Sequence, residues 1–174
     1  MIGFHANYSN LCEKFLSDKT YMIDSEGDTD YLGRGMYFWE HQRNALWWNS
    51  TKKSDSDSMI VSAELSLENV LDLTDDDVCK LLDRMFSCIN KSVLRTIEKE
   101  RGKKTSDGAM GIVLDSLFEA FKLQMSKYNI IKATKFYDKK QEADFLVSSP
   151  FTTKSVLILC AKTLAPIGER KKVS

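Results

Sequence analysis

A chain of 174 residues with 43% hydrophobic and 29% charged content suffices for one globular domain with a substantial core, so no second domain needs to be invoked. Lys plus Arg and Asp plus Glu balance at 25 each, which excludes a global field drawing the chain to nucleic acid or to an anionic surface. Four scattered cysteines, Cys12, Cys79, Cys88 and Cys160, with only His5 and His41 beside them, exclude a zinc ribbon and a CxxC redox pair; no metal centre is expected, and the thiols read as free and buried.

The N-terminus lacks a basic segment followed by an apolar run, so no signal peptide is expected. No apolar stretch approaches the roughly 20 residues of a membrane span, and the chain reads as cytoplasmic. Residues 2–5 predict a short strand that delivers His5 to its end, and residues 10–16 a helix carrying Leu11, Phe15 and Leu16 on one face. Residues 23–30 are polar and contain Gly27, the signature of a loop. Residues 36–39 are strongly β-prone, and residues 40–49 predict a helix with Ala45, Leu46 and the pair Trp47-Trp48 near its end.

A charged loop at 52–58 precedes a strand at 59–65 and a short extended piece at 70–73. Thr74 is placed to cap a helix whose first turn holds Asp75, Asp76 and Asp77, carboxylates that meet the positive end of the helix dipole. Val78, Leu81, Leu82, Met85, Phe86 and Ile89 continue it at helical spacing, to an expected end near Glu100. A break at 101–108 leads to a second helix over 112–125, with Ile112, Val113, Leu117, Ala120 and Phe121 as its apolar stripe. Short apolar pieces follow at 130–131, 145–147 and 156–160, the last a buried strand. Strands at both ends around central helices predict an α+β domain spanning residues 1–174.

Gly33-Arg34-Gly35 is not the phosphate-binding GxGxxG pattern, because it enters a strand and has no third glycine opening a helix; a Rossmann fold is disfavoured. As bare chemistry the pair fits an ordinary tight turn as well as a cleft wall. His5 alone fits a structural histidine as well as a ligand-binding one. The basic stretches 99–104 and 170–172 fit either nucleic-acid contact or solvated loops, and zero net charge favours the loops.

Taken together, Phe4-His5-Ala6-Asn7, then Tyr31-Leu32-Gly33-Arg34-Gly35-Met36-Tyr37-Phe38, then a helix with Ala45 and an aromatic end, resemble the ADP-ribosyltransferase superfamily. The similarity is to its His-Tyr-Glu branch, which includes diphtheria toxin and the poly(ADP-ribose) polymerases. Residues 59–74, with Leu71-Asp72-Leu73-Thr74, further resemble small bacterial and phage members, and the similarity extends over residues 2–75. It implies a split antiparallel or mixed β-sheet core with a helical insertion mid-chain. It also implies transfer of one ADP-ribose from NAD to a protein or nucleic-acid acceptor, with release of nicotinamide.

The roles that the resemblance implies can be assigned position by position. The imidazole N–H of His5 would hydrogen-bond a hydroxyl of the adenosine ribose of NAD, Ala6 would hold the nicotinamide carboxamide through its backbone, and Asn7 would reach a ribose hydroxyl. Tyr37 would stack on one face of the nicotinamide, Trp47 or Trp48 would close the other, and Ala45 would let the carboxamide approach its helix. Gly33, Gly35 and Phe38 complete the implied NAD-binding set. The branch's third motif, a glutamate opening a late core strand, has no counterpart in Phe151-Thr152-Thr153-Lys154-Ser155. Glu142 is the nearest carboxylate and the candidate third catalytic residue beside His5 and Tyr37. An active toxin-like or effector-like transferase, with an antitoxin-like neutralising partner, is therefore one expectation; a silent module that binds NAD or ADP-ribose without the acid is the other.

Overall fold

The computed structural model describes residues 1–25, 31–52, 57–89, 95, 99, 106–136 and 155–173. Strand-forming segments from both ends of the chain assemble into one mixed sheet, as expected of an α+β fold. Its strands are β1 Ile2–Tyr8, β2 Met36–Trp39, β3 Ser58–Leu65, β4 Val70–Asp72, β5 Ile130–Phe136, β6 Ser155–Ala161 and β7 Ile167–Lys172. They lie in the order β4-β5-β6-β2-β1-β3-β7. All neighbours are antiparallel except β4 and β5.

The helices are α1 Ser9–Ser17, α2 Gln42–Lys52, α3 Asp76–Ser87, α4 Ser106–Ala120 and α5 Lys122–Met125. Phe15 and Cys12 of α1 pack with Met36, Phe38, Val61 and Leu159 in one apolar cluster. Ala45 of α2, Leu82 of α3, Leu114 and Leu117 of α4 and Met125 of α5 pack with Trp39, Ile131 and Cys160 in a second. The alternation of Phe38 and Trp39 between the two clusters is the two-residue period of a strand buried on both faces. Among the described residues no helix is long and apolar enough to cross a membrane.

The middle of the sheet is where the register matters for function. β1 pairs with β3 at seven positions and β2 with β6 at four, yet β1 and β2 share the single registered pair Phe4 and Trp39. The two halves of the sheet thus share one backbone pair, and beyond it the His5 side chain reaches across to the Tyr37 carbonyl.

Several local expectations are corrected. β1 runs on through Ala6, Asn7 and Tyr8, because Ile60, Met59 and Ser58 supply a continuous partner strand. The cap of α3 is Asp75, which accepts hydrogen bonds from the Asp77 and Val78 amides at 2.8 and 3.4 Å. Thr74 is otherwise engaged, its hydroxyl donating to Asp72 Oδ1 at 2.6 Å. α3 ends at Ser87 rather than near Glu100, with the Cys88 amide donating to the Met85 carbonyl at 3.1 Å. The second helix starts at Ser106 and is interrupted at Phe121, whose φ of −116° and ψ of 45° are not helical. The apolar piece at 145–147, most of the stretch 99–104 and part of the loop at 23–30 lie outside the described residues.

The basic segment 170–172 is part of strand β7, not a solvated loop. Arg170 Nη1 donates to the carbonyls of Phe15, Asp18 and Tyr21 at 2.6, 2.8 and 3.2 Å, and Nη2 to that of Lys19 at 3.0 Å. Its guanidinium also lies 4.1 Å from the Phe15 ring centroid. A fork of donors on one plane gathers carbonyls at and just beyond the C-terminal end of α1, where a cation also suits the dipole. This arginine is a structural tie, unsuited to reading phosphates.

At the opposite edge, Lys132 Nζ donates to Asp72 Oδ2 at 2.6 Å across the parallel pair β4 and β5. Burial alone would raise the Asp72 pKa, but the Lys132 ammonium and the Thr74 hydroxyl and amide outweigh it and hold the carboxyl below its ordinary 3.8. A depressed folded-state pKa contributes stability that is fully present above the unfolded value and is lost as pH falls through the folded one. Asp72→Asn should therefore lower the urea midpoint near neutral pH, with the gap to the native protein closing as the pH is taken down towards about 2. A gap that stays constant over that range would show that the charge of Asp72 does not matter.

Candidate functional site

The glycine turn before β2 is built for close approach. Gly33 has φ +75° and Gly35 φ +145°, conformations that side chains other than hydrogen rarely adopt. A Cβ at Gly35 would lie 2.5 Å from the Ala161 carbonyl oxygen of β6. The turn brings the chain back on itself, so that the Tyr37 hydroxyl accepts from the Leu32 amide and donates to the Gly33 carbonyl, each at 2.7 Å. The tyrosine is thereby pinned at its polar tip, which fixes its half-buried ring.

Opposite, where the β1 and β2 ladder is missing, His5 Nδ1 lies 2.6 Å from the Tyr37 carbonyl. A carbonyl only accepts, so Nδ1 carries the proton. The Tyr8 amide donates to Asn7 Oδ1 at 2.9 Å, which orients the amide of Asn7 so that Nδ2 faces His5 Nε2 at 3.3 Å. The imidazole is thus the Nδ1-H tautomer with its lone pair at Nε2. This revises the expected role: the N–H of His5 is committed to the Tyr37 carbonyl and its Nε2 accepts from the Asn7 amide, so a hydroxyl reaches that acceptor by taking the place of Asn7 Nδ2.

Between these elements lies a cleft of about 250 Å³, lined by His5, Ala6 and Asn7 of β1, Gly35, Tyr37 and Trp39 around β2, and Trp48 of α2. Ile23, Asp24, Ser25, Tyr31, Lys135 and Ile158 complete the lining. The Trp48 ring sits 5.9 Å from that of Trp39, tilted by 48°. Of the two candidate tryptophans the lining one is Trp48; Trp47 packs against it at 6.5 Å.

Six residues singled out in the sequence therefore converge: His5, Ala6, Asn7, Gly35, Tyr37 and Trp48. Phe38 does not line the cleft, because strand alternation sends it into the core on the other side of the sheet, where it is fully buried. Ala45 is also fully buried in the core. Gly33 lies behind the turn, against Asp115. Glu142 lies outside the described residues.

The lining also contains residues that the motifs did not name. Trp39 is two residues beyond Tyr37, so strand parity alone would have placed both on one side. Ser25 is brought in by its amide, which donates to the Gly35 carbonyl at 3.0 Å. Its hydroxyl is buried and has no hydrogen-bond partner among the described residues, a cost normally relieved by a ligand or water. Asp24 is the carboxylate among the described lining residues, and the ammonium of Lys135 lies 5.2 Å from the Tyr31 ring centroid. Two aromatic walls, an imidazole acceptor and a buried hydroxyl suit a flat heterocycle joined to a hydroxylated sugar.

No protein-family model matches the chain, and no solved structure matches it significantly. An uncharacterized protein of Methanocaldococcus jannaschii is 29% identical over 141 residues, covering 76% of this chain. The match covers 64% of that archaeal protein, so the chain spans less than two thirds of its relative's length.

Proposed function

We propose that the chain is an NAD-dependent mono-ADP-ribosyltransferase, moving ADP-ribose from NAD to a macromolecular acceptor and releasing nicotinamide. The observation that carries this reading is the convergence of His5, Tyr37 and Trp48, from three elements far apart in sequence, on one cleft. The nicotinamide ring would stack on Tyr37 and face Trp48, while a ribose hydroxyl would donate to His5 Nε2 in place of the Asn7 amide. Ser25 Oγ supplies a second partner for the sugar. At about 250 Å³ the cleft is just below the usual range for whole drug-sized ligands, which fits one nucleoside half of the dinucleotide.

The step breaks the bond between ribose C1′ and the nicotinamide nitrogen, whose electron pair leaves with the ring, and forms a bond from C1′ to a nucleophile of the acceptor. Positive charge builds on the sugar in an oxocarbenium-like transition state, as in glycoside cleavage. A carboxylate beside it lowers that barrier. Two candidates compete for the role: Asp24 at the cleft, and Glu142 of the Gln141-Glu142 pair. The acceptor would be a protein or nucleic acid, and a cytoplasmic toxin of this kind would be held in check by a neutralising partner.

Labelled NAD incubated with the protein and a cell lysate should place label on macromolecules, and His5→Ala should lower it to background. Asp24→Asn and Glu142→Gln decide the acid: the one whose loss costs roughly 100-fold or more is the carboxylate at the reacting sugar. Label undiminished in His5→Ala would remove the cleft from the reaction. A second reading, a silent NAD- or ADP-ribose-binding module, is favoured by Ser155 and Val156 opening β6 where an acid would be expected. Calorimetric binding of NAD with no nicotinamide released would establish it.

A further inference from the structure

Behind the glycine turn, away from the cleft lining, sits a half-buried charged cluster that no motif announces. Lys162 follows β6, and its side chain is 10% exposed. Its ammonium donates to the Leu32 carbonyl at 2.9 Å, the Arg34 carbonyl at 2.6 Å and Asp115 Oδ1 at 3.1 Å. All three ammonium hydrogens are thereby used. Asp115, on α4, turns the same carboxylate to the Arg34 amide, with Oδ1 at 3.1 Å and Oδ2 at 3.0 Å. A Cβ at Gly33 would come within 2.2 Å of Asp115 Oδ1, so the carboxylate rests directly on the glycine.

We infer that Asp115 and Lys162 are positioning residues for the cleft, a clamp that holds the turn at residues 32–35 and through it the ring of Tyr37. The connection is short. The clamp grips Leu32 and Arg34 by their backbone, and the Leu32 amide and Gly33 carbonyl are the two groups that hold the Tyr37 hydroxyl. The Lys162 ammonium, nearly withdrawn from water while the Asp115 side chain stays 36% exposed, loses hydration that its three acceptors offset. Two of those acceptors belong to the turn that sets the cleft wall, so the pair specifies a geometry. It also makes α4 part of the site's support. The clamp acts on whatever ligand the cleft takes; its effect on NAD rests on the reading proposed above.

Amide hydrogen exchange separates this role from plain stability, since local and global opening are read at different amides. In Asp115→Ala and in Lys162→Met, exchange of the Leu32 amide should rise at least about tenfold, while that of Val61 in strand β3, paired on both sides, stays within about twofold. Tyr37→Phe, which removes the Leu32 acceptor, sets the scale of a fully released turn. If Asp115→Ala does not fold, Asp115→Asn, which keeps one acceptor oxygen, decides by the same two amides. Unchanged exchange at Leu32, or an equal rise at Leu32 and Val61, would overturn the clamp. Titration with NAD forms the second arm, with a loss of affinity approaching about tenfold, the effect of a released turn, expected in both variants. A native protein that binds no NAD would sink the proposed function and leave the clamp to be judged by exchange alone.

Discussion

Gly35→Ala is expected to destabilise the fold by roughly 2–5 kcal/mol, the sum of a strained backbone and a backbone collision. The glycine has φ +145°, and the new Cβ would lie 2.5 Å from the Ala161 carbonyl oxygen and 2.7 Å from Cys160 Sγ. Neither neighbour yields cheaply. Ala161 is paired with both Met36 and Ile130, so moving its carbonyl disturbs the sheet on two sides. The Gly35 carbonyl also accepts from the Ser25 amide, and displacing it would open the cleft wall. For a domain of this size the melting temperature should fall by about 5–15 °C. Gly168→Ala provides the control: its Cβ would meet Glu64 Cβ at 3.3 Å and its φ is not positive, so its effect should stay below about 1 kcal/mol. Equal urea midpoints for the two variants would show that the turn at Gly35 is not tightly determined.

What could be read in advance divides along physical lines. β2 was legible because Met36, Tyr37, Phe38 and Trp39 are all β-prone and two glycines mark their entry. β6 was legible because a continuous apolar run of strand length has few other homes. β7 was not, since Ile167-Gly168-Glu169-Arg170-Lys171-Lys172 shows no apolar alternation and is held at the edge by pairing with β3 and by the carbonyls around Arg170. The end of α3 was overrun because its apolar spacing continues through Ile89 while the backbone has already turned at Cys88. In the site, His5, Tyr37 and Trp48 carried recognisable chemistry. Ser25, Asp24 and Lys135 did not, because only the tertiary fold brings them to the cleft. Asp115 and Lys162 are further removed still: 81 and 128 residues separate them from Arg34, and no local pattern links a helix carboxylate to a glycine turn.

Tyr37 is where fold and proposed function meet, and two substitutions there should separate its ring from its hydroxyl. Tyr37→Ala removes the aromatic wall of the cleft and the anchor of the turn together. It is expected to weaken NAD binding by about 100-fold or more, some 2.8 kcal/mol, and to reduce labelling to background. Tyr37→Phe keeps the wall but leaves the Leu32 amide without its acceptor and the Gly33 carbonyl without its donor. A lost pair of partly buried hydrogen bonds costs about 1–3 kcal/mol, and most of that cost falls on the stability of the turn. Affinity for NAD should then fall only about tenfold, since a released turn reduces the fraction of molecules with the ring in place without removing the ring. The order of effects carries the argument. If the phenylalanine variant loses as much affinity as the alanine variant, the hydroxyl's grip on the turn matters and the ring is not the platform. If the alanine variant binds NAD like the native protein, the dinucleotide does not lie on Tyr37, and the cleft between β1, β2 and α2 must take a different ligand.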